Sequence, residues 1–457
     1  MPYGQRPPTE LRPRPAAARG SAGGERPVQA RLLATLYGHK EGVSLLASSP
    51  SGRVAYSSGR RSSLMVWVTS ALAEETVHRA IASHAPPSGA SAVGLCACPG
   101  EESVALGYSD NSVHVLAAAR LGSPEASSAK MCLEPSDGRL LTVTCMEGSG
   151  GLVCYSTEAG GVHAWDLRCA REAWRLPHER TLGLLQATTA DAAANWMVAG
   201  SSSGHCMMWD LRYSLRLRTW LIPGKHRIRT MLHTRPPGQP RPLVLCGSEN
   251  NVISGWEIGG QPRCSVVLQP SDVTDATVQE VAAPLLKEPT SDGSWHQLPL
   301  SVAAAAASAK AAAATAASIA ATSTTVLLSQ HSVRTILAPF DGSYVISAGS
   351  DMRARYWRLE DDASKSALIV GQAADEPPPS YEERLLQGSC RVVRELQPPH
   401  VTGTVTSFIQ GGATPLGVSP ACTAAITCST FCGGAESGLL MLGSLDGTVR
   451  GWRLVLG

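Results

Sequence analysis

Several groups of residues have types and spacings that could do chemistry. Gly200-Ser201-Ser202-Ser203-Gly204 matches G-x-S-x-G, the turn that presents a nucleophilic serine in many hydrolases. That turn works between a strand and a helix, where the serine is strained into exposure. Here the next residues are HCMMWD, an alternating run that reads as a second strand, so the serines read as a hairpin turn and not as a nucleophile. Cys96-x-Cys98 and Cys422…Cys428…Cys432 are the close cysteine sets. Structural zinc sites couple two close pairs, and Cys428-x3-Cys432 has no second pair, so buried free thiols are expected, with no metal and no cofactor. From Arg212 to Arg241 there are eight Lys or Arg (212, 216, 218, 225, 227, 229, 235 and 241) and no acid. Such a stretch suits an acidic partner or an anionic membrane surface, with Arg212, Lys225, Arg227 and Arg229 as contacts, or else it is a solvated strand and loop. Nucleic acid is not expected, because few aromatics, Tyr213 and Trp220, interleave the stretch and the formal net charge of the chain is only +2.

Two further motifs are candidate contacts. Trp165-Asp166-Leu167-Arg168 and Trp209-Asp210-Leu211-Arg212 repeat one W-D-L-R box. Pro377-Pro378-Pro379-Ser380-Tyr381 holds a Pro-Pro-x-Tyr string, which could dock in an aromatic-lined groove through Tyr381. The run EERLLQGSCRVVREL that follows has apolar residues at strand- or helix-like intervals.

The elements that must position these groups come from a repeat. Small-polar turns followed by short β-rich runs end at Trp67, Leu116, Trp165, Trp209, Trp256, Trp357 and Trp452. Successive anchors are 49, 49, 44, 47, 101 and 95 residues apart. A period of about 40–45 residues is that of WD repeats, whose unit is a four-stranded propeller blade. Within each run Val, Ile, Met and Trp alternate with small or polar residues, the period of a strand. A lone blade has two apolar faces and must stack on neighbours to bury them. The expected fold is therefore all-β, a seven-bladed WD-repeat β-propeller over 31–457. The two long gaps hold inserts, an alanine-rich one at 269–324 and a partly ordered one at 360–397. Residues 1–30 are rich in Arg, Pro, Ala and Gly, a composition that predicts a disordered tail. The chain stops about five residues past Trp452, so the last blade lacks an outer strand of its own. RLLATL at 31–36 is expected to supply it and close the ring, removing two exposed sheet edges.

In such blades a histidine, a strand serine, a turn aspartate and the tryptophan form a structural hydrogen-bonded set. His39 sits where a blade begins. His331, Ser347, Asp351 and Trp357 fit one full set, Asp446 and Trp452 fit half of one, and Trp165 and Trp209 hold the tryptophan position.

Composition fits this reading. The apolar fraction is 43%, enough for a large core, and the charged fraction is low at 17%. The chain has ten Trp against three Phe, and most of the Trp fall in the repeat frame. Thirteen Cys without framework spacing, and no secretory apolar run near Met1, suggest a reducing compartment. No segment reads as membrane-spanning. The Ala-rich stretch at 302–321 carries Lys310, which would cost about 2.5–3.5 kcal/mol at a bilayer centre.

The order of these blades is informative. GVHAWDLRCAREAW and SSSGHCMMWDLRYSLRLRTW are followed by HRIRTMLH, then by SAGSDMRARYWRL, IVGQ and RLLQGSCRVVREL. This order resembles the C-terminal WD-repeat domain of the phosphoinositide 3-kinase regulatory subunit 4 family, the vacuolar protein sorting scaffold of the class III lipid kinase complex. The resemblance implies a non-catalytic interaction scaffold in endosomal sorting and autophagy. Its implied partners are the lipid kinase catalytic subunit and the coiled-coil subunits. Its implied place is cytoplasmic, peripheral on endosomal or autophagic membranes. The family also carries a kinase-like domain, but no Gly-rich loop before a strand lysine, no H-R-D and no D-F-G occurs here. This sequence is therefore not expected to be an enzyme. The paired W-D-x-R boxes also resemble those of substrate receptors for cullin ubiquitin ligases, in which Arg168 and Arg212 would reach the adaptor.

Overall fold

The computed structural model describes residues 28–273, 331–397 and 424–455. Short stretches at 74–77, 88, 99–102, 118–126, 147–150, 160, 339–341, 360–362, 373–376, 387–389 and 433–437 are not among them. The tail up to residue 27, the alanine-rich stretch from 274 and Cys422 lie outside the described residues.

The described strands form seven sheets. Blade 1 runs over 43–84, blade 2 over 92–132, blade 3 over 140–176 and blade 4 over 185–221. Blade 5 covers 228–269, blade 6 covers 333–370 and blade 7 covers 426–455. Each blade is an antiparallel meander, and each predicted anchor lies on its third strand. Trp67 is in Leu64–Val68, Leu116 in Ser112–Ala117 and Trp452 in Val449–Val455. Leu116 takes the tryptophan place in blade 2 and is fully buried there.

The second strands depart from simple alternation. Val54–Gly59, Trp196–Ser201, Leu243–Ser248 and Leu439–Ser444 are buried at every position. Their small residues do not face water, because both faces of a blade meet a neighbouring blade. Glycine is required where that approach is closest. A Cβ on Gly200 would lie 2.7 Å from Ile228 Cγ2 of blade 5, and one on Gly443 would lie 2.9 Å from Val43 Cγ1 of blade 1.

The Gly443 contact belongs to ring closure. Gln29–Leu36 adds to blade 7 as its outer strand, antiparallel to Val449–Val455, with Leu32 opposite Trp452 and Leu36 opposite Val449. The expected closing strand is thus present and begins two residues earlier than RLLATL. Blades 7 and 1 also share polar contacts: Ser48 Oγ donates to Phe431 O at 2.9 Å, and Thr430 Oγ1 donates to Ser48 Oγ at 3.0 Å.

The stretch 360–397 divides differently from expectation. Ala367–Val370 is the outer strand of blade 6 itself. Ser380–Leu386 and Cys390–Leu396 form an antiparallel hairpin that turns back to blade 5. Cys390–Leu396 pairs parallel with Arg263–Gln269, the outer strand of that blade, with Val266 opposite Arg391 and Leu268 opposite Val393. Blade 5 therefore has six strands. Among the described residues no helix is long and apolar enough to cross a membrane.

Candidate interaction surface

The polar sets expected of the blades form in two versions. In blade 1, Trp67 Nε1 donates to Ser57 Oγ at 2.8 Å, and His39 Nε2 lies 2.7 Å from the same oxygen. His39 Nδ1 is 2.9 Å from Ser62 Oγ, so a turn serine stands where the pattern has an aspartate. Burial lowers the pKa of His39.

In blade 6, Trp357 Nε1 donates to Ser347 Oγ at 2.8 Å, as the pattern requires. Asp351 serves a different group. It accepts from the backbone N–H of Arg353 at 3.2 Å and from Asn251 Nδ2 of blade 5 at 3.3 Å, and it pairs with Arg355. Arg355 also pairs with Glu395 of the added hairpin, and Arg353 Nη1 lies 3.6 Å from Glu395 Oε1. Arg355 is 3% exposed and Glu395 0%. Burial opposes ionisation of Asp351, but the Arg355 guanidinium more than offsets it and holds the carboxyl below its ordinary range. His331 lies just ahead of the first strand of the blade, Val333–Leu337.

The other tryptophans mainly pack. The Trp209 and Trp452 rings are buried, and neither Nε1 has a hydrogen-bond partner among the described residues, which corrects their expected place in polar sets. Trp165 is half-buried against the cluster of Val113, Val153 and Tyr155. With Leu167 it lines a small apolar cleft beside Val113, Val115 and Met131. No convergent polar groups line that cleft, so it lacks the makings of a catalytic site. Asp446 closes its own hairpin, accepting from Thr448 N at 2.9 Å and Thr448 Oγ1 at 2.6 Å and pairing with Arg450 at 2.9 Å.

The two W-D-L-R boxes are matching clasps. Asp166 accepts from Arg168 Nη2 at 2.8 Å and Nε at 3.0 Å, and Asp210 accepts from Arg212 Nη2 at 2.6 Å and Nε at 3.1 Å. Each aspartate also takes its arginine's backbone N–H, so the box closes the turn after the third strand. The guanidinium hydrogen bond holds each carboxyl below the usual carboxylate range. This local work accounts for the motif without an adaptor.

The basic stretch is largely neutralised from neighbouring strands. Arg212 pairs with Asp210, Arg216 with Glu179, Arg227 and Arg229 with Glu249, and Arg235 with Asp191. Five of the eight cations are thus already engaged, and Arg227 and Arg229 are not free contacts as expected. Lys225 is exposed in a turn with φ +53°. The acids lie outside 212–241, so a count along the chain misses them.

Tyr381 is also a correction. It is 8% exposed, with its ring edge-on to Trp357 at 5.6 Å, inside the core between blades 5 and 6. The strand starts against this core and becomes exposed from Glu383 on, so the buried Tyr381 cannot present a docking motif.

The serine turn joins two strands, as read from sequence. Ser203 Oγ donates to Leu182 O at 2.5 Å and lies 3.1 Å from His205 Nδ1, while Ser202 Oγ accepts from the Leu184 N–H. Cys96 and Cys98 have a third neighbour that sequence spacing could not show. Cys145 Sγ of blade 3 is 3.0 Å from Cys96 Sγ and 3.4 Å from Cys98 Sγ. Burial raises the Cys96 thiol and pushes nearby Cys154 up to about 12, so these sulfurs remain protonated.

Two segments, 30–68 and 322–358, match the WD domain, G-beta repeat family. The probable serine/threonine-protein kinase vps15 of Dictyostelium discoideum is 27% identical over 195 residues, covering 41% of this chain and 10% of the relative. The serine/threonine-protein kinase VPS15 of Arabidopsis thaliana is 28% identical over 266 residues, covering 54% of this chain and 18% of the relative. The chain thus spans a small part of the curated relatives it matches. Its described residues form a propeller, and no kinase domain is found among them. Seven blades and the WD repeat matches make the described part a WD-repeat propeller, and its sequence is similar to part of two vps15 proteins.

Proposed function

We propose that this propeller is a rigid display ring within the class III phosphoinositide 3-kinase complex. It would hold the lipid kinase catalytic subunit and its coiled-coil subunits together in endosomal sorting and autophagy. Its place is cytoplasmic, peripheral on endosomal or autophagic membranes. The observation that carries the reading is the similarity to two vps15 proteins in a chain whose described part is a closed ring without a reactive centre. Binding residues on loops and edges held by a stiff scaffold are the ordinary way such a fold works. Membrane attraction through the basic stretch falls to Arg218, Lys225 and Arg241, because the other five cations already have carboxylates. The ring's contacts are therefore chiefly with proteins.

The test is affinity purification of the tagged full chain from its own cells, probed for the lipid kinase and its coiled-coil subunits. Recovery of either supports the proposal. Absence of both, in this and in the reciprocal purification, overturns it.

A further inference from the structure

Every blade opens its first strand with the same irregularity. The register against the second strand slips after the first pair, so the second residue of each first strand is an extra, bulged one. A bulge takes the extra residue out of the ladder and re-aims its side chain. First strands line the centre of the ring, where they touch one another. Thr189 Oγ1 of blade 4 lies 2.8 Å from His233 Nδ1 of blade 5, and Thr335 Oγ1 of blade 6 lies 2.7 Å from Ser429 Oγ of blade 7. The bulged residues therefore surround one mouth of that centre. In an antiparallel meander the loops between blades and the turns between second and third strands lie at this same end. Ser44, Val93, Leu141, Gln186 and Thr427 hold the bulge in five blades, and none is charged. In the adjacent blades 5 and 6 the bulged residues are Arg229 and Arg334.

Packing brings these two arginines to one place. A Cβ on Gly247 of blade 5 would lie 2.7 Å from Thr230 Cγ2, just after Arg229, and 2.7 Å from Val333 Cγ1, just before Arg334. Two residues on, Glu249 stands in the turn between the second and third strands of blade 5. Its Oε1 accepts from Arg229 Nη2 at 2.5 Å, and its Oε2 lies 4.0 Å from Arg227 Nε. The Glu249 N–H also donates to Arg227 O at 2.9 Å, which fixes the third arginine beside the first. Glu249 thus engages Arg227 and Arg229 without neutralising both. The Nε–H groups of these two arginines are buried and have no acceptor among the described residues. Arg334 is exposed and has no carboxylate partner among the described residues. Burial opposes ionisation of Glu249, and Arg229, Arg227 and Arg334 together more than offset it. Burial, and after it the Arg229 guanidinium, lowers the pKa of Arg334, so a further anion would relieve this cation.

We propose that the mouth of the ring at blades 5 and 6 binds the phosphate monoester of a phosphorylated partner protein, with Arg229 and Arg334 as its principal contacts and Arg227 beside them. Three guanidiniums around one carboxylate leave an excess of two positive charges. A phosphorylated side chain carries about −1.5 to −2 charges at neutral pH and three acceptor oxygens, which suit several planar guanidinium forks. A single carboxylate brings only half that charge. The rest of this end carries both signs: Lys40, Arg60 and Arg61 are exposed there, and so are Glu41, Asp110 and Glu134. An anionic bilayer would meet all of them at once, whereas one phosphorylated side chain meets only blades 5 and 6. The inference rests on the display reading and gives it a ligand class.

The test uses the full chain and a fluorescein-labelled peptide of alternating Ala and Gly with one central phosphoserine, beside the same peptide with serine. Fluorescence anisotropy should show saturable binding of the phosphopeptide, competed by inorganic phosphate, and none of the serine peptide. R334E should weaken binding at least about tenfold, and R334Q should weaken it as well. Arg334 is exposed, so both variants should melt as the wild-type chain does. R218E makes the same charge change on the outer strand of blade 4, Leu215–Leu221, and should leave binding unchanged. E249Q should tighten binding, because it removes the competing carboxylate. Binding that ignores phosphorylation, or that R334E and R218E alter equally, overturns the inference. So does a chain that fails to bind the phosphopeptide but floats, through Arg334, with phosphatidylcholine vesicles carrying a monophosphorylated inositol lipid. If the lipid kinase co-purifies while the phosphopeptide fails, this site is wrong and the display reading stands. If the phosphopeptide binds through Arg334 and the lipid kinase is never recovered, the site stands and the display reading falls.

Discussion

Blades 1 and 6 start from one pair and complete it in opposite ways. Both place a tryptophan Nε1 2.8 Å from a strand serine. In blade 1 the rest is neutral and local, with His39 and Ser62 as the other members. In blade 6 the neighbours come from three parts of the ring and all but one are charged: the neutral amide of Asn251 from blade 5, Arg353, Arg355 and Asp351 from blade 6, and Glu395 from the hairpin. The neutral set stiffens one blade. The ionic set ties two blades and a hairpin together, at the risk of leaving a buried charge alone if any member is lost.

The most forceful way to break this contrast is Glu395→Ala. It removes a fully buried carboxylate from a guanidinium that is itself buried. The expected loss is about 3–5 kcal/mol in chemical denaturation, the cost of breaking a buried pair from one side. Amides of 390–396 should also exchange faster. A loss under about 1 kcal/mol would mean that water screens the cluster as it does a surface pair.

Ser57→Ala and Ser347→Ala probe the shared half of the two sets. Each should cost about 1–3 kcal/mol, because each orphans a buried indole N–H. The two sites belong to separate blades, so the double variant should lose the sum. A strongly non-additive result would show that blades 1 and 6 are coupled through the ring.

Acid sharpens the contrast with a smaller effect. Burial depresses the pKa of His39 in the folded chain, so the unfolded chain binds that proton more readily. Stability from this group is present above the unfolded value of about 6.5 and falls as pH drops below it. Asp351 is also depressed, but its contribution is lost only as pH falls below about 3.9, toward its folded value. Between pH 7.5 and 5.5 the denaturation midpoint should therefore fall. The fall should be smaller in His39→Gln and unchanged in Glu395→Ala. Equal falls in all three would remove His39 from the account.

Much of the fold was legible because it rests on local rules. The anchor residues mark the third strands, and the missing outer strand of blade 7 pointed to the run near Leu32 and Leu36. What escaped was contact across blades. Cys145 joins Cys96 and Cys98 from the next blade, and Glu249 and Asp191 neutralise arginines distant in sequence. The hairpin hid its role because parallel addition to blade 5 leaves no short-range signal. Its pattern did not show that Tyr381 is buried while Leu385, on the same face of the strand, is exposed. Ser62 escaped because a serine in a turn rich in serines gives no sign that it stands in for an aspartate.

The first described strand, Gln29–Leu36, holds the ring shut. Deleting residues 29–36 from the full chain and following thermal melting together with sedimentation tests this directly. The Tm should fall and the chain should self-associate, since both the outer edge of Val449–Val455 and its buried residues would be uncovered. An unchanged melt by a monomeric chain would contradict it.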